Sequence, residues 1–135
     1  MKIRKAEEKD REVFIEVYTR NFSQTDKETA KDLFEEKLSN PMQGLVLLAE
    51  EDNKVVGLVA VDIIDLMGHI VGLCVEKDYR QRGIGTALVK EAIDRTRKLN
   101  QNVRHIIMTG GKYTVKIAQK FGFEATDRFL LVKYL

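Results

Sequence analysis

Seven consecutive residues, Arg80-Gln81-Arg82-Gly83-Ile84-Gly85-Thr86, hold the densest chemistry in this 135-residue chain. Two arginines supply charge-assisted donors, two glycines let the main chain approach a ligand without an intervening side chain, and a hydroxyl follows. Such a run at the start of a helix suits an anion. The first N–H groups of a helix have no intrahelical partner, and the helix dipole adds positive potential there. A phosphate or pyrophosphate fits those features; on the glycines alone, an ordinary turn fits too. A Walker loop is excluded, because no G-x-x-x-x-G-K-[ST] run exists. A dinucleotide fingerprint is excluded as well: Leu88 stands where a third glycine is needed, and the expected next strand, Val103–Met108, carries no acid.

Other reactive residues are sparse. The histidines His69 and His105 stand far apart and no Cys/His spacing suggests zinc, so no metal site is expected. Cys74, the only cysteine, excludes an internal disulfide and fits a reducing, cytoplasmic setting. It has no recognisable base beside it, and a cysteine within a strand is ordinarily a small buried hydrophobe. His69 opens an apolar run, and imidazole is suited to general-base work near neutrality. It reads equally as a residue that fills space or caps the turn at Gly68. Strand alternation would put His69, Val71, Leu73 and Val75 on one face. Glu76, Asp62 and Asp65 are fallback bases, each also readable as a turn or surface residue.

The formal net charge of +2 names no partner, but charge is unevenly spread. Lys77–Arg104 holds eight Lys/Arg against three Asp/Glu, whereas Met1–Asn40 holds nine against ten. The middle of the chain is where an anion would be attracted, unless the run is only a solvated helix face. Most of those charges lie on one amphipathic helix without aromatic platforms, so no nucleic acid is expected as a partner. No apolar run is long enough for a membrane span, and the start Met1-Lys2-Ile3-Arg4-Lys5 is unlike a signal peptide.

The elements that must position these residues follow from periodicity and breakers. Lys2–Lys5 reads as a strand, and Lys9–Arg20 as a helix with Phe14, Ile15, Val17 and Tyr18 as its apolar stripe. Thr25 with Glu28 has capping-box spacing for a second helix, which stops near Asn40-Pro41. Gly44–Ala49, Lys54–Ile64 and His69–Val75 read as an antiparallel meander. A long amphipathic helix runs from Gly83 to about Leu99, followed by a strand at Val103–Met108. Thr114–Phe121 reads as a helix closed by Gly122, and Phe129–Leu135 as a last strand. The expectation is one α/β domain over residues 1–135, ordered β-α-α-β-β-β-α-β-α-β.

Arg80-x-x-Gly83-x-Gly85, set between a strand ending Leu73-Cys74-Val75 and a long helix, resembles the R/Q-x-x-G-x-G/A loop of the GNAT superfamily of N-acetyltransferases. Lys120-Phe121-Gly122-Phe123 resembles that family's K-x-G-F segment, and the element order is similar over essentially the whole chain. The resemblance implies a GNAT fold: a mixed, mostly antiparallel sheet flanked by helices. It implies acetyl-coenzyme A as cosubstrate and a primary amine, on a small molecule or a protein, as acceptor. The main chain of Gln81, Arg82, Gly83, Ile84, Gly85 and Thr86, with Arg80 beside it, would hold the pyrophosphate. Leu73, Cys74 and Val75 would pair with the pantetheine arm, and a backbone N–H there would face the developing oxyanion. His69 would be the base. The tyrosine expected four residues before Gly122 is Ala118 here, and the asparagine expected before that helix is replaced in the Gly110-Gly111 region. Tyr113 is the substitute acid the sequence offers; its other reading is a helix-start aromatic. A homodimer is compatible with the resemblance. Ala118 also leaves open a non-catalytic acyl-coenzyme A-binding module.

Overall fold

The computed structural model describes residues 1–135. The chain begins with β1 (Lys2–Lys5), a 3-10 turn at Glu8–Asp10, α1 (Arg11–Asn21) and α2 (Lys27–Ser39). Three long strands follow: β2 (Gly44–Glu51), β3 (Lys54–Ile64) and β4 (Met67–Val75). A 3-10 turn at Lys77–Tyr79 leads to α3 (Ile84–Leu99), β5 (His105–Met108) and α4 (Lys112–Lys120). The sheet order is β1-β2-β3-β4-β5, antiparallel throughout except for the parallel β4–β5 pair, which α3 connects.

Helices cover both faces of this sheet, which explains why its central strands are apolar along most of their length, with Asp62 and His69 among the exceptions. One core joins Leu47, Val59, Val61, Ile70 and Val75 of the sheet to Ile84, Leu88, Val89 and Ala92 of α3 and Ile117 of α4. The other joins Val46, Leu48, Leu58, Ala60 and Cys74 to Phe14, Ile15 and Tyr18 of α1 and to Ala30 and Phe34 of α2. Phe14 and Phe34 meet at 5.0 Å between ring centroids and are fully buried. Truncating either to alanine would cost about 3–5 kcal/mol.

Three local expectations are corrected. The cap of α2 is Asp26, not Thr25: the Asp26 carboxylate accepts the Thr29 N–H at 2.7 Å, while the Thr25 N–H is spent on a turn to the Phe22 carbonyl. β4 starts at Met67, two residues before the expected position. Gly68 lies inside the ladder, where a Cβ would stand 3.2 Å from Thr96 and Ile106, so it marks close packing and not a turn. Phe129–Leu135 forms no strand: Phe129, Leu131 and Tyr134 are about nine-tenths exposed. Strand propensity expresses fit to a pleated, half-buried surface, and no such surface lies against this segment. The α/β class stands, with the final strand absent and β5 at the sheet edge.

The first strand is tied to the turn before α1 by charge. Arg4 donates twice to Asp10, both at 2.8 Å, and also contacts Glu50; the Glu7 N–H adds a third bond to Asp10 at 2.8 Å. The Arg4 guanidinium thereby holds the Asp10 carboxyl below the usual carboxylate range. A carboxyl depressed in the folded state stabilises above its unfolded value near 4, and that stabilisation is lost as pH falls through the folded value. Asp10→Asn should therefore lower the urea unfolding free energy at neutral pH by about 1–3 kcal/mol. The gap between parent and variant should narrow in unfolding curves recorded below about pH 4.

Candidate active site

β4 loses its outer neighbour part-way along. Its ladder with β5 ends at Ile70 paired with Met108, so from Gly72 to Val75 it pairs only with β3. The stretch also holds a β-bulge: Ala60 faces Gly72 and Val61 faces Ile70, which leaves Val71 as an extra residue. Ile70, Leu73 and Val75 pack with the α3 core, whereas Val71 and Cys74 pack with the α1–α2 core. A Cβ on Gly72 would touch the Tyr18 ring, so Gly72 also faces α1. The expectation that His69, Val71, Leu73 and Val75 share one face is thus overturned. His69, opposite Asp62, looks toward α1–α2, and the bulge sends Leu73 and Val75 to the other side.

The loop after β4 delivers α3 with its first amides free. Ala87 donates to the Gly83 carbonyl at 3.0 Å, but the N–H groups of Ile84, Gly85 and Thr86 find no carbonyl, and no side chain caps the helix. Gly83 sits at φ +82° with nothing within 4 Å of a Cβ placed on it. Its glycine is required by the left-handed backbone, and the space beside it is open. Gly85 is constrained differently: a Cβ there would stand 2.8 Å from Ile117 and 3.0 Å from the Tyr113 hydroxyl, so it allows α3 and α4 to meet. Gln81 is also left-handed, at φ +63°. The side chains of Ile84, Cys74 and Val75 are buried in the cores, leaving only main chain at those positions for a ligand.

The two arginines divide their work. Arg80 Nε donates to the Val75 carbonyl at 2.9 Å and its guanidinium reaches Asn21 Oδ1 at 3.1 Å. Asn21 also donates to Glu76 at 2.9 Å, and Arg20 pairs with Glu76 at 2.6 Å. Arg80 therefore fixes the loop to the ends of β4 and α1. Arg82 is half exposed, 5.0 Å from the Tyr79 ring centroid, with Lys54 at 5.4 Å from the same ring. Sequence spacing gave no sign of Asn21 or Lys54, which reach the loop from distant parts of the chain.

The remaining expected residues are dispersed. His69 is half-buried, and its Nε2 is shielded from solvent without a hydrogen-bond partner in the protein. Tyr113 lies with its hydroxyl against Gly85 at the start of α3, so it shares the region of the loop and not that of His69. Tyr18, which the sequence reading assigned only to the core, lies across Gly72 on the open stretch of β4; burial and the neighbouring Cys74 push its phenol up. Burial, reinforced by Glu76, pushes the Cys74 thiol up to about 12. Glu76 is engaged by Arg20 and Asn21, and Asp62 by Lys37 at 2.5 Å. No cluster of three or more His, Cys, Asp or Glu side chains has metal-binding geometry. A concavity of about 590 Å³ lies at the other end of α3 between Asp94 and Arg104, remote from this loop.

An open strand edge that runs into three unpartnered helix amides can receive an extended ligand ending in phosphates. Comparison with known proteins agrees with that geometry. The model of the acetyltransferase (GNAT) family matches residues 11–123. A relative from Archaeoglobus fulgidus, described as an uncharacterized N-acetyltransferase, is 31% identical over 119 residues, covering 78% of this chain and 80% of its own. A predicted acetyltransferase from Clostridium acetobutylicum, solved with acetyl-CoA, superposes with a TM-score of 0.85 at 23% identity, over 98% of this chain and 95% of that one. Glucosamine-6-phosphate N-acetyltransferase from Arabidopsis thaliana gives 0.79 at 23%, over 98% and 97%. At these identities the two solved structures speak to fold alone. The family match over most of the chain, and the archaeal kinship, carry more: this chain belongs to the GNAT family of acetyltransferases and is an acyltransferase enzyme.

Proposed function

We propose that the chain, acting as one domain over residues 1–135, transfers acetyl from acetyl-coenzyme A directly to a primary amine of a small molecule or protein in the cytoplasm. The observation that carries this reading is the junction of β4's unpaired edge with the free amides of Ile84, Gly85 and Thr86. The main chain of Leu73, Cys74 and Val75 lines the coenzyme's arm, and residues 81–86 hold its pyrophosphate, with Arg82 adding charge at the rim.

The amine must attack uncharged, although alkylammonium groups ordinarily titrate near 10. His69 takes that proton, directly or through water, as the nitrogen lone pair forms the C–N bond. A β4 backbone N–H stabilises charge on the carbonyl oxygen. The C–S bond then breaks toward thiolate. Tyr113 is the proton donor the sequence offers, but it stands at the loop end, beside Gly85; Tyr18, over Gly72 on the open stretch of β4, is the candidate nearer His69 along the strand. A thiol of ordinary pKa near 8.5 also leaves unaided, so a missing tyrosine at position 118 is compatible with turnover. The buried, strongly protonated Cys74 disfavours a route through an acetyl-cysteine. The exposed apolar tail from Phe129 and the free edge of β5 support self-association as a homodimer.

Release of free thiol from acetyl-coenzyme A across a panel of amines tests the reading; tight coenzyme binding without turnover on any amine would instead favour a binding module. Gly83→Val should weaken coenzyme A binding at least about tenfold by calorimetry, from a left-handed penalty of about 1–2 kcal/mol and an obstructed approach. His69→Ala should lower kcat and remove the acid limb of the pH–rate profile, because protonating a base abolishes its function. Cys74 should resist thiol reagents in the native protein at pH 8 and react at once in denaturant.

A further inference from the structure

One buried charge cluster has no part in the mechanism above. The Lys37 side chain on α2 is 3% exposed, and its ammonium lies 2.5 Å from Asp62 Oδ1. Lys37 lies over β2 at Gly44, where a Cβ would stand in van der Waals contact, 3.4 Å from Lys37 Cγ. Gly44 is the ladder partner of Asp62, and Asp62 is the partner of His69. Partners across antiparallel strands share a face with Cβ atoms about 5 Å apart. Gly44, Asp62 and His69 therefore form a row across three strands, with Lys37 over its near end and the shielded Nε2 of His69 at the other.

The Asp62 carboxylate stands beside His69 across the ladder, and the Lys37 ammonium is paired with that carboxylate. A carboxylate beside an imidazole favours imidazolium, and an ammonium opposes that. A buried ion pair is seldom more stabilising than apolar side chains of the same volume, so stability alone is a weak reason for this one. We propose that the Lys37–Asp62 pair tunes His69, with Lys37 offsetting the Asp62 charge that would otherwise favour imidazolium. The proposal rests on His69 being the base, and Lys37 and Asp62 are positioning residues that act through it. Other titratable groups toward this face include Glu36 beside Lys37 on α2, Tyr18 on α1, Cys74 on β4 and the exposed His105 on β5. None of them hydrogen-bonds to Asp62 or His69.

Proton NMR of the imidazole C2 protons, on the protein without ligands, reads the charge state apart from catalysis. The chain has two histidines, so His105→Gln identifies the His69 resonance. Lys37→Met should move the His69 titration to higher pH and Asp62→Asn to lower pH, each by about half a pH unit or more, equivalent to about threefold in proton affinity. Lys37→Arg should leave it in place. The double variant Lys37→Met/Asp62→Asn removes both charges and should return it close to the parent, which also controls for folding. The acid limb of the pH–rate profile should move in the same directions. Shifts of equal sign in the two single variants, or no shift in either, overturn the proposal. Opposite ring shifts that the pH–rate profile ignores would uphold the coupling while removing His69 from the chemistry, so the two failures are distinguishable.

Discussion

A strand edge that loses its neighbour leaves main-chain donors and acceptors unsatisfied, and a protein interior seldom tolerates that. Here the parallel ladder between β4 and β5 spans only Met67–Ile70 on the β4 side, and five further residues of β4 continue without a partner there. Much of the architecture follows from this divergence. Because β5 is parallel to β4, the chain must return along the sheet through α3, so the helix starts where β4 ends. Two sets of unsatisfied backbone groups, a strand edge and a helix N-terminus, are consequently brought together by topology. The family's cosubstrate, with an amide-bearing arm and a pyrophosphate, has complementary groups for both.

Rigidity at that junction comes from side chains the loop does not itself contain. Glu76 and Arg80 close on Asn21 at the end of α1, which clamps the turn between strand and helix from outside. Arg80, one of the two loop arginines, therefore helps hold the loop. Arg82, half exposed, lies over the Tyr79 ring and 3.7 Å from Glu51. The two glycines likewise differ in cause. Gly83 answers to a left-handed backbone, and Gly85 to the approach of Ile117 and Tyr113 from α4.

Sequence patterns revealed the helices, the three long strands and the loop, because amphipathic period, apolar runs and glycine spacing are local signals. What they missed was relational. His69-Ile70-Val71-Gly72-Leu73-Cys74-Val75 is apolar or small at nearly every position, so nothing in it marks Val71 as the extra residue of a bulge; only the register against β3 does. Asn21 meets the loop across 55 and 59 residues of chain, and Lys37 meets Asp62 across 25, separations that carry no periodic signature. Phe129–Leu135 departs from its local pattern for the opposite reason. Its composition favours a strand, but a strand exists only where another offers a ladder.

The bulge divides β4 into two phases of alternation that meet at Val71 and Gly72. Before the seam, odd-numbered side chains belong to the α1–α2 layer; after it, Leu73 and Val75 belong to the α3 layer. A change at His69 and a change at Leu73 therefore register on opposite sides of one continuous strand.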